Sequence, residues 1–208
     1  MTSPLPPGAL ARIETLLSDG RRKVLGIAGP PGGGKSTLAQ AVRDALPRRA
    51  VIVPMDGFHL AGSELTRLGR SARKGAPDTF DAAGYVALLH RLKAPREDEV
   101  VYAPEFRREL EEAVAGAIAV PAALQLVVTE GNYLLLDQGP WRAVRTLLDE
   151  AWYVDTDDAL RRERLVLRHI RFGRTPEAAR AWVAHTDEPN ARLVAASRDR
   201  ADHVIVVA

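Results

Sequence analysis

The stretch GIAGPPGGGKSTLAQAV, from Gly26 to Val42, constrains the fold more than any other part of this 208-residue chain. Its glycines at 26, 29, 32, 33 and 34 and prolines at 30 and 31 leave about half the segment almost without side chains. One lysine and two hydroxyls, Lys35, Ser36 and Thr37, follow directly. Upstream, KVLGIAG (Lys23–Gly29) reads as a buried strand; downstream, STLAQAVRDAL (Ser36–Leu46) reads as a helix stopped by Pro47. Gly29, Gly34, Lys35 and Ser36 thus fit G-x-x-x-x-G-K-[ST] in the strand–loop–helix setting that gives the motif its meaning.

The physical reason for the pattern is phosphate. Gly29, Gly32, Gly33 and Gly34 let backbone N–H groups turn inward around anionic oxygens without obstruction by Cβ atoms. The helix that starts at Ser36 adds its positive dipole end. Lys35 would reach the β- and γ-phosphates, Ser36 would ligate Mg²⁺, and Thr37 would complete the loop. A nucleoside triphosphate, ATP, and Mg²⁺ are the expected cofactors.

Along the rest of the chain, short apolar runs alternate with helical ones. Leu10, Ile13, Leu16 and Leu17 make a helical stripe ended by Gly20. AVIVP (Ala50–Pro54), LQLVVTE (Leu124–Glu130), AWYVD (Ala151–Asp155) and HVIVV read as further strands. Helices are expected over Asp81–Leu92 with Asp81 as N-cap, over WRAVRTLLD, over Asp157–Phe172, and after Thr175-Pro176. Val101–Val120 stays undecided, because RRELEEAV has helical spacing whereas AVAGAIAV alternates like a strand. The alternation predicts a P-loop NTPase three-layer α/β fold, a parallel sheet of about five strands with helices on both faces. One domain spanning residues 1–208 is expected, with insertions at about 56–80 and 101–122 for the acceptor site and an Arg-rich lid at about 161–176.

Composition narrows the function. A net charge of +2 with 5% aromatic residues gives little support to a nucleic-acid groove. No cysteine is present, which removes disulfides, thiolate metal sites and Cys nucleophiles. The start MTSPLPPG has no basic or apolar signal region, and the most apolar window, Ala113–Val128, is too short to span a bilayer. A cytoplasmic location, no membrane insertion and a small-molecule partner are therefore expected; a homodimer is left open.

A loop that binds a triphosphate serves switches, motors and kinases alike. None of Lys23, Lys35, Lys74 and Lys93 sits in the N/T-K-x-D setting of a guanine reader, and no transporter-ATPase signature is present. A kinase needs an acid near the acceptor hydroxyl and cations over the migrating phosphoryl group. VPMDGFHL puts Asp56 and His59 just beyond the second strand, and VVTEGNYLL puts Glu130 at the matching end of the third, the ligand-binding edge of an open α/β sheet. Arg164, Arg168 and Arg171 recur three or four residues apart, hence on one helix face, with Arg174 just beyond. His90, His185 and the tryptophans 141, 152 and 182 read as surface or packing residues, and Asp155 as a turn or cap.

The order GPPGGGKST, MDGFH, PDTFD, VYAPEF, VVTEGNYLL, YVDT, RH…GRT and DEPNA resembles the P-loop kinases that group uridine kinase, phosphoribulokinase and bacterial pantothenate kinase. Within that group the chain is most similar to bacterial proteins labelled fructose transport system kinases or nucleoside/nucleotide kinase family proteins. The resemblance implies a small-molecule kinase in which Asp56 activates the acceptor hydroxyl, and Lys35, Arg168, Arg171 and Arg174 cover the phosphoryl group. It further implies that Ser36 and Glu130 serve the metal, and that Asp56, His59, Tyr102 and Tyr133 surround the acceptor. Fructose or a related sugar is the implied acceptor. A nucleoside or pantothenate-like alcohol is the alternative, and a nucleotide-binding regulator of sugar transport is a third reading. Where uridine kinases continue with YDF, this chain has Tyr102-Ala103-Pro104-Glu105-Phe106.

Overall fold

A computed structural model describes residues 4–207. Five parallel strands, β1 (Lys23–Ala28), β2 (Ala50–Ile52), β5 (Leu126–Gly131), β6 (Glu150–Thr156) and β7 (His203–Val207), form one sheet in the order β2-β5-β1-β6-β7. The strand that feeds the glycine loop is therefore central, with β5 and β6 on either side.

Period-2 alternation along these strands sorts their side chains onto two faces. Leu25 and Ile27 of β1, Leu126 and Val128 of β5, and Trp152 and Val154 of β6 point to one side. They pack there against α1 (Ala9–Leu16) and α2 (Lys35–Ala45) through Ile13, Leu38 and Val42. Val24, Val127, Ala151 and Tyr153 point to the other face, where Tyr85, Leu88, Leu89 and Leu92 of α4 (Ala82–Lys93) close the second core. In α1 the buried stripe runs through Ala9, Ile13 and Leu17, while Leu10 is 43% exposed and falls outside it. Asp81 caps α4 by accepting from Gly84 N–H at 2.8 Å, and Thr175 caps α7 (Pro176–Trp182) by accepting from Ala178 N–H.

The undecided segment is an antiparallel hairpin outside the main sheet. Strands β3 (Val100–Arg107) and β4 (Glu112–Pro121) pair with a register shift between Ala103 and Glu105, at Pro104. A proline cannot donate to the ladder, so an irregularity of this kind is where a strand tolerates it. Val101, Ala103 and Val120 dock the hairpin on the second core. The WRAVRTLLD helix is a single 3₁₀ turn (Gly139–Ala143) followed by a four-residue α5 (Val144–Leu147). The Arg-rich segment expected to form the lid is α6 (Asp158–Arg171) and the turn into α7; a π turn (Val183–Asp187) then runs into α8 (Glu188–Ala195).

Candidate active site

The C-terminal edge of the sheet collects the chemistry. The glycine loop leaves β1 and enters α2 through Gly34, whose φ of 90° is left-handed and favours glycine. Gly32, with φ 77°, lies against the lid helix, and a Cβ there would stand 2.6 Å from the Arg161 carbonyl oxygen. From the end of β6, the Thr156 hydroxyl donates to the Gly33 carbonyl at 2.8 Å and pins the loop from below. Thr156 lies in YVDT, and its anchoring role has no signal in the sequence beyond that strand's polar end.

Lys35 is buried, and its ammonium donates to the Pro30 carbonyl at 3.0 Å. Burial lowers its pKa to about 8, partly offset by the nearby Glu130 and Asp56 carboxylates. Next to it the Ser36 hydroxyl donates to Glu130 Oε1 at 2.8 Å. Burial and the neighbouring Asp56 push the Glu130 carboxyl above its usual range, against the pull of Lys35 and Ser36. Glu130 ends β5, so strand and loop deliver the carboxylate and hydroxyl to one point.

Asp56 sits on a 3₁₀ turn (Met55–Phe58) just past β2, where Gly57 allows the hairpin to approach: a Cβ there would meet the Pro104 carbonyl at 2.3 Å. The preceding backbone is fixed by a buried relay, because the Tyr85 hydroxyl reaches Thr129 Oγ1 at 2.6 Å and Thr129 donates to the Val53 carbonyl at 2.7 Å. The His59 Nδ1–H donates to the Asp56 carbonyl oxygen, 2.8 Å away. Its ring lies 4.0 Å from that of Phe80 and 4.7 Å from that of Phe106, and burial lowers its pKa. Across from Asp56, the hairpin supplies Arg108, 3.7 Å from Asp56 Oδ2.

Lys35, Ser36, Asp56, His59, Glu130, Arg168 and Arg174 all line one cleft of about 500 Å³. Gly32 reaches the same cleft, while Gly34 and Thr37 line a groove beside it. Gly29 and Gly33 line neither, and three side chains stand apart. Tyr102 is 58% exposed on the outer side of the hairpin. Tyr133 is fully buried among Phe80 and Trp141, with its hydroxyl donating to the Gly75 carbonyl, so it supports the cleft from behind. Arg171 lies exposed near the Phe172 ring, outside the cleft, because only Arg168 on that face of α6 is turned inward.

The structure also adds residues that the sequence reading passed over. Arg108 and Lys74 face the cleft. Trp182, read above as a packing residue, carries the Arg174 guanidinium 3.9 Å over its ring at the cleft wall. DEPNA proves to be the seam that joins α8 to α6 and to the turn at Gly75. Asp187 meets His169 Nε2 at 2.9 Å, Glu188 meets the buried Arg161 at 2.6 Å, and Asn190 donates to the Gly75 carbonyl at 3.4 Å. Among the described residues no cluster of three or more His, Asp or Glu groups could hold a metal by itself, and no helix is long and apolar enough to cross a membrane.

The chain is similar to known proteins in sequence and fold. The Phosphoribulokinase / Uridine kinase family matches residues 24–208. The uncharacterized protein YggC of Escherichia coli (strain K12) is 34% identical over 201 residues, 94% of this chain and 82% of that protein. A pantothenate kinase of Corynebacterium glutamicum is 32% identical over 64% of this chain, which spans 42% of that longer protein. Among solved structures, one named "putative fructose transport system kinase" from Silicibacter sp. TM1040 superposes with a TM-score of 0.83 at 36% identity, covering 95% of this chain and 98% of that one. The chain belongs to the phosphoribulokinase/uridine kinase family and is a P-loop kinase, a phosphotransferase with a hydroxyl acceptor.

Proposed function

We propose that the protein transfers the γ-phosphoryl group of ATP, with Mg²⁺, to a hydroxyl of a small sugar-type acceptor. The observation that carries this reading is the convergence of Lys35, the Ser36–Glu130 pair and Asp56 on one cleft of about 500 Å³. The loop N–H groups and Lys35 would hold the phosphates. Ser36 and Glu130 fit Mg²⁺, since a hydroxyl and a carboxylate already meet at 2.8 Å beside the loop. When bound, the ion would neutralise charge on the phosphate oxygens.

Asp56 would take the proton from the acceptor hydroxyl as that oxygen bonds to the γ-phosphorus and the bond to the bridging oxygen breaks, leaving ADP. Arg168 and Arg174, on the lid side, would cover the charge of the transferring group. Positioning and electrostatics would do the work, with no covalent enzyme intermediate.

The sugar class is supported by the name of the Silicibacter structure. A pantothenate- or nucleoside-type alcohol is the second reading, supported by the pantothenate kinase relatives and by a relative from Schizosaccharomyces pombe named as a uridine kinase. A pure nucleotide sensor would have no use for an acid placed like Asp56. The test is ADP release, followed by a coupled assay over a panel of sugars, nucleosides and vitamins. Turnover on a sugar supports the proposal; turnover on nucleosides alone, or on none of the panel, contradicts it.

A further inference from the structure

Two cations stand on the acceptor side of the cleft, apart from those at the phosphate loop, each beside a carboxylate: Arg108 near Asp56 and Lys74 near Glu111. Lys35 and Arg168 lie where the cleft adjoins the groove along α2, so they belong to the nucleotide. Lys74 and Arg108 come from the opposite direction. Lys74 follows the 3₁₀ turn Ser71–Arg73, and Arg108 follows β3. Both reach the same Phe106 ring, with Lys74 Nζ 5.1 Å and the Arg108 guanidinium carbon 6.0 Å from its centroid.

Neither cation has spent its donors. The Lys74 side chain is only 22% exposed, yet its ammonium donates to one group, the Glu111 carbonyl, and the Glu111 carboxylate is 3.7 Å away. An ammonium carries three donors, so two remain for a ligand. Arg108 is 3.7 Å from Asp56 Oδ2, an ion pair too long for a hydrogen bond. Its charge also opposes those of Lys35 and Arg168, whose pKa values are lowered chiefly by burial and further by Arg108. Arg108 is exposed and Lys74 half-buried, so these donors are open to solvent, and an anionic acceptor would take them up in charge-assisted hydrogen bonds that a neutral one could not match. His59 is held towards its neutral form by burial between Phe80 and Phe106, so it adds no further positive charge.

We infer that the acceptor carries an anionic group, a carboxylate or a phosphate, which Lys74 and Arg108 bind while Asp56 addresses its hydroxyl. This inference rests on the kinase reading above and sharpens its acceptor class. Because Arg108 and Asp56 stand 3.7 Å apart, hydroxyl and anion lie within a few bonds of each other, as in a hydroxy acid, a sugar acid or a sugar phosphate.

The test is calorimetry on protein saturated with Mg²⁺ and a non-hydrolysable ATP analogue, so that the phosphate loop is already filled. Fructose, gluconate, glycolate, fructose 6-phosphate and inorganic phosphate are titrated separately; the second and third probe carboxylate recognition and the last two phosphate. The expected result is binding by at least one anionic group and none comparable by fructose. That binding should weaken about tenfold or more, equivalent to about 1.4 kcal/mol, in Lys74→Gln, with the affinity for the analogue unchanged. Failure of all four anions to bind, or equal binding in Lys74→Gln, overturns the inference. Failure of the ATP analogue to bind overturns the kinase reading instead.

Discussion

The Ser36 hydroxyl donates to Glu130 Oε1 at 2.8 Å, joining the first helical turn after the glycine loop to the last residues of a strand 94 positions away. This contact places a carboxylate beside the loop, where a metal on the phosphates would need one. Ser36→Ala should therefore raise the Mg²⁺ concentration needed for half-maximal rate by about tenfold or more, while metal-free nucleotide affinity changes little. A Mg²⁺ titration of the steady-state rate, paired with metal-free ADP calorimetry, checks this. An unchanged Mg²⁺ requirement would remove Ser36 and Glu130 from the metal site.

Lys35 gives a pH signature. Burial lowers its pKa from 10.5 to about 8 in the free protein, and the phosphates of a bound nucleotide would raise it again. Binding of metal-free ADP at pH 8.5 should therefore take up a proton, seen as a dependence of the measured heat on buffer ionisation enthalpy. The same shift sets stability. Between pH 8 and 10.5 the unfolded chain holds a proton on this lysine that the folded one lacks, so this group's contribution makes the nucleotide-free protein more stable as pH rises through that window. No proton uptake at pH 8.5 would contradict the burial argument.

Asp56→Asn should leave ATP affinity nearly intact and lower turnover about 10²-fold or more, the usual scale for a lost proton acceptor. Calorimetry of ATP binding beside the steady-state rate separates the two quantities. A large loss of affinity with unchanged turnover would assign Asp56 to the nucleotide instead.

The arginines of α6 and of the turn after it can be told apart by position. Arg168 is turned into the cleft, Arg174 lies on Trp182 at its wall, and Arg171 is outside. Arg168→Ala should lower turnover by about 10²-fold with a smaller effect on ATP affinity, because charge over a transferring phosphoryl group counts mainly in the transition state. Arg171→Ala should stay within about twofold, as for an exposed surface residue. Equal effects of the two changes would refute the lid geometry.

Arg161 supplies a stability test. Its guanidinium is 2% exposed and lies between Asp158 and Glu188, tying α6 to the start of α8. Arg161→Met leaves Glu188 without its buried partner and should cost about 3–5 kcal/mol, read from urea unfolding midpoints. A change below about 1 kcal/mol would mean that the lid is not held by this pair.

The five-stranded sheet was legible because each strand is a short apolar run bounded by turn residues, and both faces of the sheet are buried, so no other period competes. The glycine loop was legible because its spacing follows from phosphate geometry. The hairpin was not. Its tip, Arg108 to Glu111, has charges at helical spacing, and the left-handed Glu111, φ 53°, is a turn device that no composition rule announces. That one ambiguity hid Arg108, because a residue on an unassigned segment has no direction. Tyr102 was placed in the acceptor pocket by resemblance alone, yet strand alternation sends its neighbours Val101 and Ala103 inward and Tyr102 out. Trp182 was read as packing because its partner, Arg174, meets it only through the turn between α6 and α7. DEPNA was recognisable as a motif, but its seam role needs the positions of His169, Arg161 and Gly75, all distant in sequence.

The most direct measurement follows the phosphoryl group itself. ATP labelled in its γ-phosphoryl group is incubated with the protein, Mg²⁺ and pooled small hydroxyl compounds, neutral and anionic, and the products are separated. Label should move into an organic phosphate monoester with the native chain and stay in ATP with Lys35→Ala. Label recovered only as inorganic phosphate, or equal transfer by Lys35→Ala, would contradict the kinase account.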